Sequence, residues 1–167
     1  MSGDPKPIVV VTTGGTIDKA YFDSLSTYQV GETIVAHMLK VARVDCRWEL
    51  IELLRKDSLE LTDADRATLR QTIVELDTDR VVVTHGTDTM TESAHALAGI
   101  PGKTIVLTGA LAPARFSESD ATFNLGMAFG AVQSLPAGVY IAMNGQVFRG
   151  DDVRKDRQLG KFVALTH

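Results

Sequence analysis

The stretch Ile8-Val9-Val10-Val11-Thr12-Thr13-Gly14-Gly15-Thr16-Ile17 carries the fold reading. Its unbroken β-branched run is the pattern of a strand buried on both faces, as in a parallel sheet. The paired glycines that follow permit a sharp turn and a close backbone approach to a ligand. A second stretch repeats the arrangement: Val81-Val82-Val83-Thr84 leads into His85-Gly86-Thr87-Asp88-Thr89. Open α/β sheets hold their ligands in loops at the carboxyl ends of parallel strands. Two such loops, each with glycine and threonine hydroxyls, point to one site built from two neighbouring strand ends.

Outward from these stretches the pattern alternates. Residues 8–13 read as a strand and 17–29 as a polar, aperiodic loop. Residues 32–43 place Ile34, Val35, Met38, Leu39 and Ala42 at helical spacing. Residues 48–54 return to a strand. Thr62 is placed to cap a helix running to about Leu76, with Asp63 and Asp65 favourable in its first turn. Arg80–Thr84 is the next strand. A helix from near Thr89 closes at Gly99, a strand covers 104–107, and a helix begins at Asp120 or Thr122 and runs to about Ser134. A strand at 139–143 and a short one at 146–148 follow. After Gly150 the chain reads as charged and irregular. The expected fold is α/β: an open, mostly parallel, doubly wound (Rossmann/flavodoxin-like) sheet with helices on both faces, a three-layer sandwich.

Composition narrows the function classes. A chain of 167 residues suits one domain, taken as 1–167. The net charge is -4, with no basic tract and few aromatics, which argues against nucleic-acid binding. No apolar run approaches the ~20 residues of a membrane span. Residues 1–7 are polar and proline-rich and lead straight into the first strand, so a cytoplasmic protein is expected. A lone Cys46 excludes an intrachain disulfide and a cysteine-based metal cluster. No metal or cofactor is expected.

The loops themselves exclude two nucleotide cradles. Neither G-x-G-x-x-G nor G-x-x-x-x-G-K-[ST] is present, and Gly14-Gly15 is followed by Thr16. Thr16 either faces a ligand with its hydroxyl or caps the local turn. Asp88 either caps the helix that follows or binds a substrate ammonium. His85 is expected to pack or hydrogen-bond beneath its loop rather than act as a base. Met38, Met127 and Phe129 belong to the core.

Taken together, Thr13-Gly-Gly-Thr-Ile and His85-Gly-Thr-Asp-Thr-Met resemble the two signature motifs of the bacterial-type L-asparaginases. Lys56-Asp57-Ser58-Leu59 is similar to that family's third substrate loop. Thr108-Gly-Ala110 with Pro113, then Asp120 to Asn124-Leu125, is similar to its fourth-strand turn and following helix. The segment 139–144 with Gly150-Asp-Asp-Val-Arg-Lys155 is similar to its last N-domain strand and catalytic lysine. The motifs occur in the family's order across nearly the whole chain.

The resemblance implies roles. Thr16 matches the primary nucleophile, Thr87 the second catalytic threonine, and Lys155 the lysine that pairs with it. Asp88 matches the residue that binds the α-amino group, and Ser58 a serine on the α-carboxylate. A tyrosine assists the first threonine. Tyr28, with Gly31 three residues on, fits the family spacing better, while Tyr21 lies closer to Thr16 in sequence. The expected reaction converts L-asparagine to L-aspartate and ammonia through an acyl-enzyme. Backbone N–H groups around Gly15 and Gly86 are expected to form the oxyanion hole.

Family members are about twice this length, and their C-terminal domain adds an acidic residue and an asparagine to the site of a neighbouring copy. Neither has a match here. Arg149, Asp151, Asp152 or a residue of a partner chain are the candidates to replace them, and a homodimer or homotetramer is expected. The chain is then either a short single-domain form or a fragment, and the start at Met1 with the ordinary tail 160–167 leads to the expectation of a short single-domain form without a C-terminal domain. Two other functions fit less well: an amino-acid sensor that keeps the pocket without turnover, and the asparaginase-like half of a tRNA-dependent amidotransferase.

Overall fold

A computed structural model describes residues 3–22 and 27–165. Its centre is a six-stranded sheet in the order β4-β1-β5-β6-β7-β8. The strands are β1 (Ile8–Gly14), β4 (Trp48–Lys56), β5 (Arg80–Thr84), β6 (Thr104–Thr108), β7 (Gly138–Met143) and β8 (Gln146–Arg149). The first five run parallel, and β8 closes the edge antiparallel to β7. In chain order the parallel strands are arranged second, first, third, fourth, fifth, the flavodoxin-like order. Strand order reverses at β1, so the crevice beside it opens between the ends of β1 and β5.

Both sheet faces are covered, which explains the continuous apolar runs. Val9, Val11, Val81, Val83, Ile105 and Leu107 face helices α2 (Asp63–Glu75) and α3 (Met90–Ala96). Ile8, Val10, Val82 and Val106 face α1 (Val35–Val41) and α4 (Ala121–Ser134). Met38 and Phe129 are buried in this second layer and Met127 packs against it. Among the described residues no helix is long and apolar enough to cross a membrane.

Local signals are accurate where the interaction is local. Thr62 caps α2 with a full capping box: its hydroxyl accepts from the Asp65 N–H, and the Asp65 carboxylate accepts from the Thr62 N–H. Gly99, after α3, has φ +79°.

Other readings need correction. The expected loop at 17–29 contains a short 3-10 turn (Thr16–Asp18) and two antiparallel strands, β2 (Lys19–Phe22) and β3 (Thr27–Val30); residues 23–26 of that reading lie outside the described residues. This hairpin is largely exposed, so no buried face imposes a strong period on it. The tail after Gly150 is also ordered, forming a hairpin of β9 (Val153–Asp156) and β10 (Lys161–Ala164). Only Val153 and Phe162 anchor it in the core, too few apolar positions to announce a strand pair.

Helix α1 begins later than expected because its first turn is capped from a distance. The Asp18 carboxylate accepts from the Ile34 N–H at 2.9 Å and the Thr33 hydroxyl at 3.1 Å. Arg115 braces the same junction by donating to the carbonyls of Asp18 and Glu32. Burial pushes the Asp18 carboxyl up to about 6, although the bonds from Ile34 and Thr33 and the Arg115 charge oppose the rise. Between about pH 4 and 6 the folded chain therefore holds a proton that the unfolded chain has released. The stability this proton supplies is therefore full below about pH 4 and is lost as pH rises through about 6. Urea denaturation should show Asp18→Asn gaining stability relative to wild type between pH 4 and 7.5. A difference independent of pH would contradict this burial account.

Candidate active site

The site is a meeting of four strand-end segments, and its closeness is legible in the glycines. A Cβ on Gly15 would lie 2.4 Å from the Gly86 nitrogen and 2.6 Å from its Cα. A Cβ on Gly86 would lie 2.6 Å from both Cβ and Oγ of Ser58, and one on Gly109 would lie 2.2 Å from the His85 carbonyl oxygen. The loops after β1, β4, β5 and β6 thus touch backbone to backbone. Gly14 and Gly15 have φ of +101° and +85°, so the first loop uses conformations that side chains disfavour.

Hydrogen bonds fasten these loops. The Thr13 hydroxyl donates to the Thr84 carbonyl at 2.8 Å, and the Thr89 hydroxyl donates to the Ser58 carbonyl at 2.8 Å. Asn124 donates to the Gly109 carbonyl and to Asp120. Asp120 accepts from the Leu111 and Ala112 N–H groups. Asp120 stands at the N-cap position of α4, yet its side chain holds the turn after β6 instead of the helix N–H groups.

One expected donor is already occupied. The Gly15 N–H donates to the Lys56 carbonyl at 2.9 Å, so it is not free to stabilise an oxyanion. Gly15 contributes its lack of a side chain instead.

The structure brings Lys155 to Thr87 and Asp88 across 68 and 67 residues of sequence. Lys155 Nζ donates to Thr87 Oγ1 at 2.8 Å and to Asp88 Oδ1 at 2.9 Å. The hairpin β9–β10 makes this possible, since Lys155 stands on β9 opposite Phe162, which is fully buried. Asp88 does not cap α3, whose first turn receives no side-chain bond from its N-cap residue. The Lys155 ammonium, through a hydrogen bond and its charge, holds the Asp88 carboxyl below the usual range, with Arg157 and Lys19 adding to the effect. Asp88 therefore stays ionised, and its side chain is one-third exposed, open to a second cation.

Thr16 is half-buried and Thr87 is buried. Each lies one residue beyond the Gly15–Gly86 contact, so both flank the same crevice. Ser58 is buried at the start of a short 3-10 turn (Ser58–Glu60), against Gly86. Tyr21 and Tyr28 stand opposite each other on the β2–β3 hairpin, with ring centroids 5.4 Å apart. Tyr28 also meets Phe116 edge-on. Both tyrosines are half-exposed, and neither hydroxyl is held by a hydrogen bond to Thr16. His85 is fully buried beneath the loop, as its sequence context implied. Arg149 and Asp151 pair with each other beside the start of β7, at the opposite end of the sheet, and so do not complete this crevice. Among the described residues no cluster of His, Cys, Asp and Glu is arranged to hold a metal ion.

Flavodoxin-like strand order, with a threonine–lysine–aspartate cluster at the switch point, puts polar side chains where open α/β sheets hold their ligands. The chain's relatives make that reading specific. The family model for the asparaginase N-terminal domain matches residues 7–160. The chain therefore belongs to the asparaginase family.

The chain is 33% identical over 162 residues to the glutaminase-asparaginase of Acinetobacter glutaminasificans, covering 89% of this chain and 49% of that protein. The solved structure of the thermostable L-asparaginase from Thermococcus kodakarensis superposes with a TM-score of 0.85 at 27% identity, covering 97% of this chain and 52% of the other. A component of the glutamyl-tRNA(Gln) amidotransferase of Aeropyrum pernix is 30% identical over 158 residues, 83% of this chain and 35% of that component. The chain spans about half the length of the asparaginase relatives it matches.

Proposed function

We propose that this chain hydrolyses L-asparagine to L-aspartate and ammonia. The observation that carries the reading is Lys155 Nζ within hydrogen-bond reach of both Thr87 Oγ1 and Asp88 Oδ1, beside the loop that bears Thr16.

Asp88 binds the substrate's α-ammonium and Ser58 its α-carboxylate. The side-chain amide then lies between the two threonines. Thr16 Oγ attacks the amide carbon, and the Gly86 and Thr87 side of the crevice supplies N–H groups to the developing oxyanion. Thr87 accepts from the Lys155 ammonium, so its own hydroxyl proton is free to be donated. Thr87 passes that proton to the departing nitrogen and Lys155 replaces it, and the proton that Thr16 loses on attack returns to Lys155 through water, so the acylation step leaves the protonation state of the site unchanged. Ammonia leaves, an ester of Thr16 remains, and water cleaves it to aspartate. Tyr21 and Tyr28 are the candidates to assist Thr16, and both require the β2–β3 hairpin to approach it. No cofactor enters this scheme.

The site also takes a contribution from a second copy of the chain, as a homodimer or homotetramer. Sedimentation should show an assembly larger than a monomer in the active fraction, and full activity in a monomeric peak would overturn this part.

A second reading, an amino-acid-binding domain without turnover, draws support from the Lys155–Asp88 pair at 2.9 Å, an arrangement that can hold a bound amino acid without any chemical step. A coupled ammonia assay with L-asparagine and L-glutamine, run beside calorimetry, separates the two. Ammonia from asparagine supports the hydrolase, whereas heat of binding without ammonia supports the sensor.

A further inference from the structure

Beneath the second loop runs a buried chain of polar side chains that the proposed chemistry does not use. Arg66 Nε donates to Ser93 Oγ at 3.2 Å. Ser93 Oγ lies 2.7 Å from His85 Nε2, and His85 Nδ1 lies 2.6 Å from the Gly86 carbonyl oxygen. His85 and Ser93 are fully buried and Arg66 nearly so.

The two ends fix the direction of the chain. A guanidinium only donates and a carbonyl only accepts. The Gly86 oxygen therefore requires the proton on Nδ1. The neutral ring then offers a lone pair at Nε2, which Ser93 fills while its oxygen accepts from Arg66. Burial pushes the imidazole down to about 4, against the pull of the Gly86 carbonyl and with help from the Arg66 charge, so the ring is neutral at ordinary pH. Each bond in such a run polarises the next.

The last bond has a consequence for the loop. Among the described residues no peptide bond is cis, so the N–H of Thr87 points opposite to the Gly86 carbonyl. With that carbonyl drawn inward to His85, the Thr87 N–H points away from the buried ring. We propose that His85 is a positioning residue: fixed as its Nδ1–H tautomer by Ser93 and Arg66, it orients the Gly86–Thr87 peptide so that the Thr87 amide and hydroxyl face the crevice. What that amide meets, a developing oxyanion, rests on the hydrolase reading; the tautomer does not.

The test combines a spectroscopic signature with kinetics on the full chain. Imidazole 15N resonances of histidine-labelled protein, assigned with His85→Asn, should show His85 as the neutral Nδ1–H form at pH 7. The Nε2–H form would overturn the relay. Ser93→Ala should lower kcat about three- to tenfold, the cost of one lost hydrogen bond, with KM for L-asparagine little changed. Ser93→Thr, which keeps the hydroxyl, should restore it. Wild-type kcat in Ser93→Ala would also overturn the proposal. A wild-type chain with the Nδ1–H signature but no ammonia release overturns the hydrolase reading while supporting the relay.

Discussion

Alanine at Thr16 or Thr87 should reduce ammonia release from L-asparagine by roughly a thousandfold or more while leaving the thermal transition close to that of wild type. In the proposed scheme the two hydroxyls do different work, and their removal should look different. Without Thr16 no ester can form, so turnover is lost at the first chemical step. Without Thr87 the leaving nitrogen lacks its proton donor, a role typically worth about 10²–10⁴ in rate. Lys155→Met should approach the Thr87 effect, because Lys155 acts through the Thr87 oxygen at 2.8 Å. It should also loosen Asp88, whose low carboxyl pKa depends first on Lys155. Calorimetry should then find substrate affinity changed in Lys155→Met more than in Thr87→Ala. Near-normal turnover in any of the three variants would remove that residue from the scheme.

Alanine at Gly15 should be as damaging to the fold as the threonine changes are to chemistry. Its Cβ would meet Gly86 backbone atoms at 2.4 and 2.6 Å, and its φ of +85° is unfavourable for any side chain. Backbone atoms cannot swing aside as a side-chain tip can, so the first and second loops must part. A loss of more than about 3 kcal/mol in unfolding free energy, or failure to fold, is expected. Gly86→Ala is expected to act more mildly on stability, because the atoms it strikes include the Ser58 side chain, but to displace Ser58 from the crevice. Urea unfolding of both variants checks this. A Gly15→Ala chain of wild-type stability would mean that the loops do not touch as described.

The sheet was readable from sequence because its signal is local and repeated. Val9, Val10 and Val11, like Val81, Val82 and Val83, are buried on both faces, and a run of β-branched residues marks that environment. The cap of α2 was equally readable, since Thr62 and Asp65 are three residues apart. The two hairpins escaped for a shared reason. Each lies on the surface with few anchoring residues, such as Val153 and Phe162 in β9–β10, so no buried face imposes a strong alternation on its sequence.

Site geometry followed the same division. The glycine–threonine loops announced themselves by composition, yet nothing in spacing joins Lys155 to Thr87 across 68 residues. Only the resemblance of Gly150-Asp-Asp-Val-Arg-Lys155 to a family motif points to that pairing. The Asp18 cap on α1 and the Arg66–Ser93–His85 chain, whose Arg66 and Ser93 are 27 residues apart, had no sequence signal because each partner is an ordinary residue until the fold brings them together. The occupied Gly15 N–H is a similar case. A glycine loop suggests free donors, and only the bulged register between β1 and β4 reveals that Lys56 has taken this one.

Thr16, carried to the switch point by β1, is the proposed nucleophile of an asparagine hydrolase. Rapid acid quench of wild-type protein mixed with L-asparagine, followed by peptide mass spectrometry, tests it most directly. An aspartyl ester on the peptide containing Thr16, formed while ammonia is released, is the expected result. Ammonia release with the ester on Thr87, or with the Thr16 peptide unmodified at every time point, would contradict it.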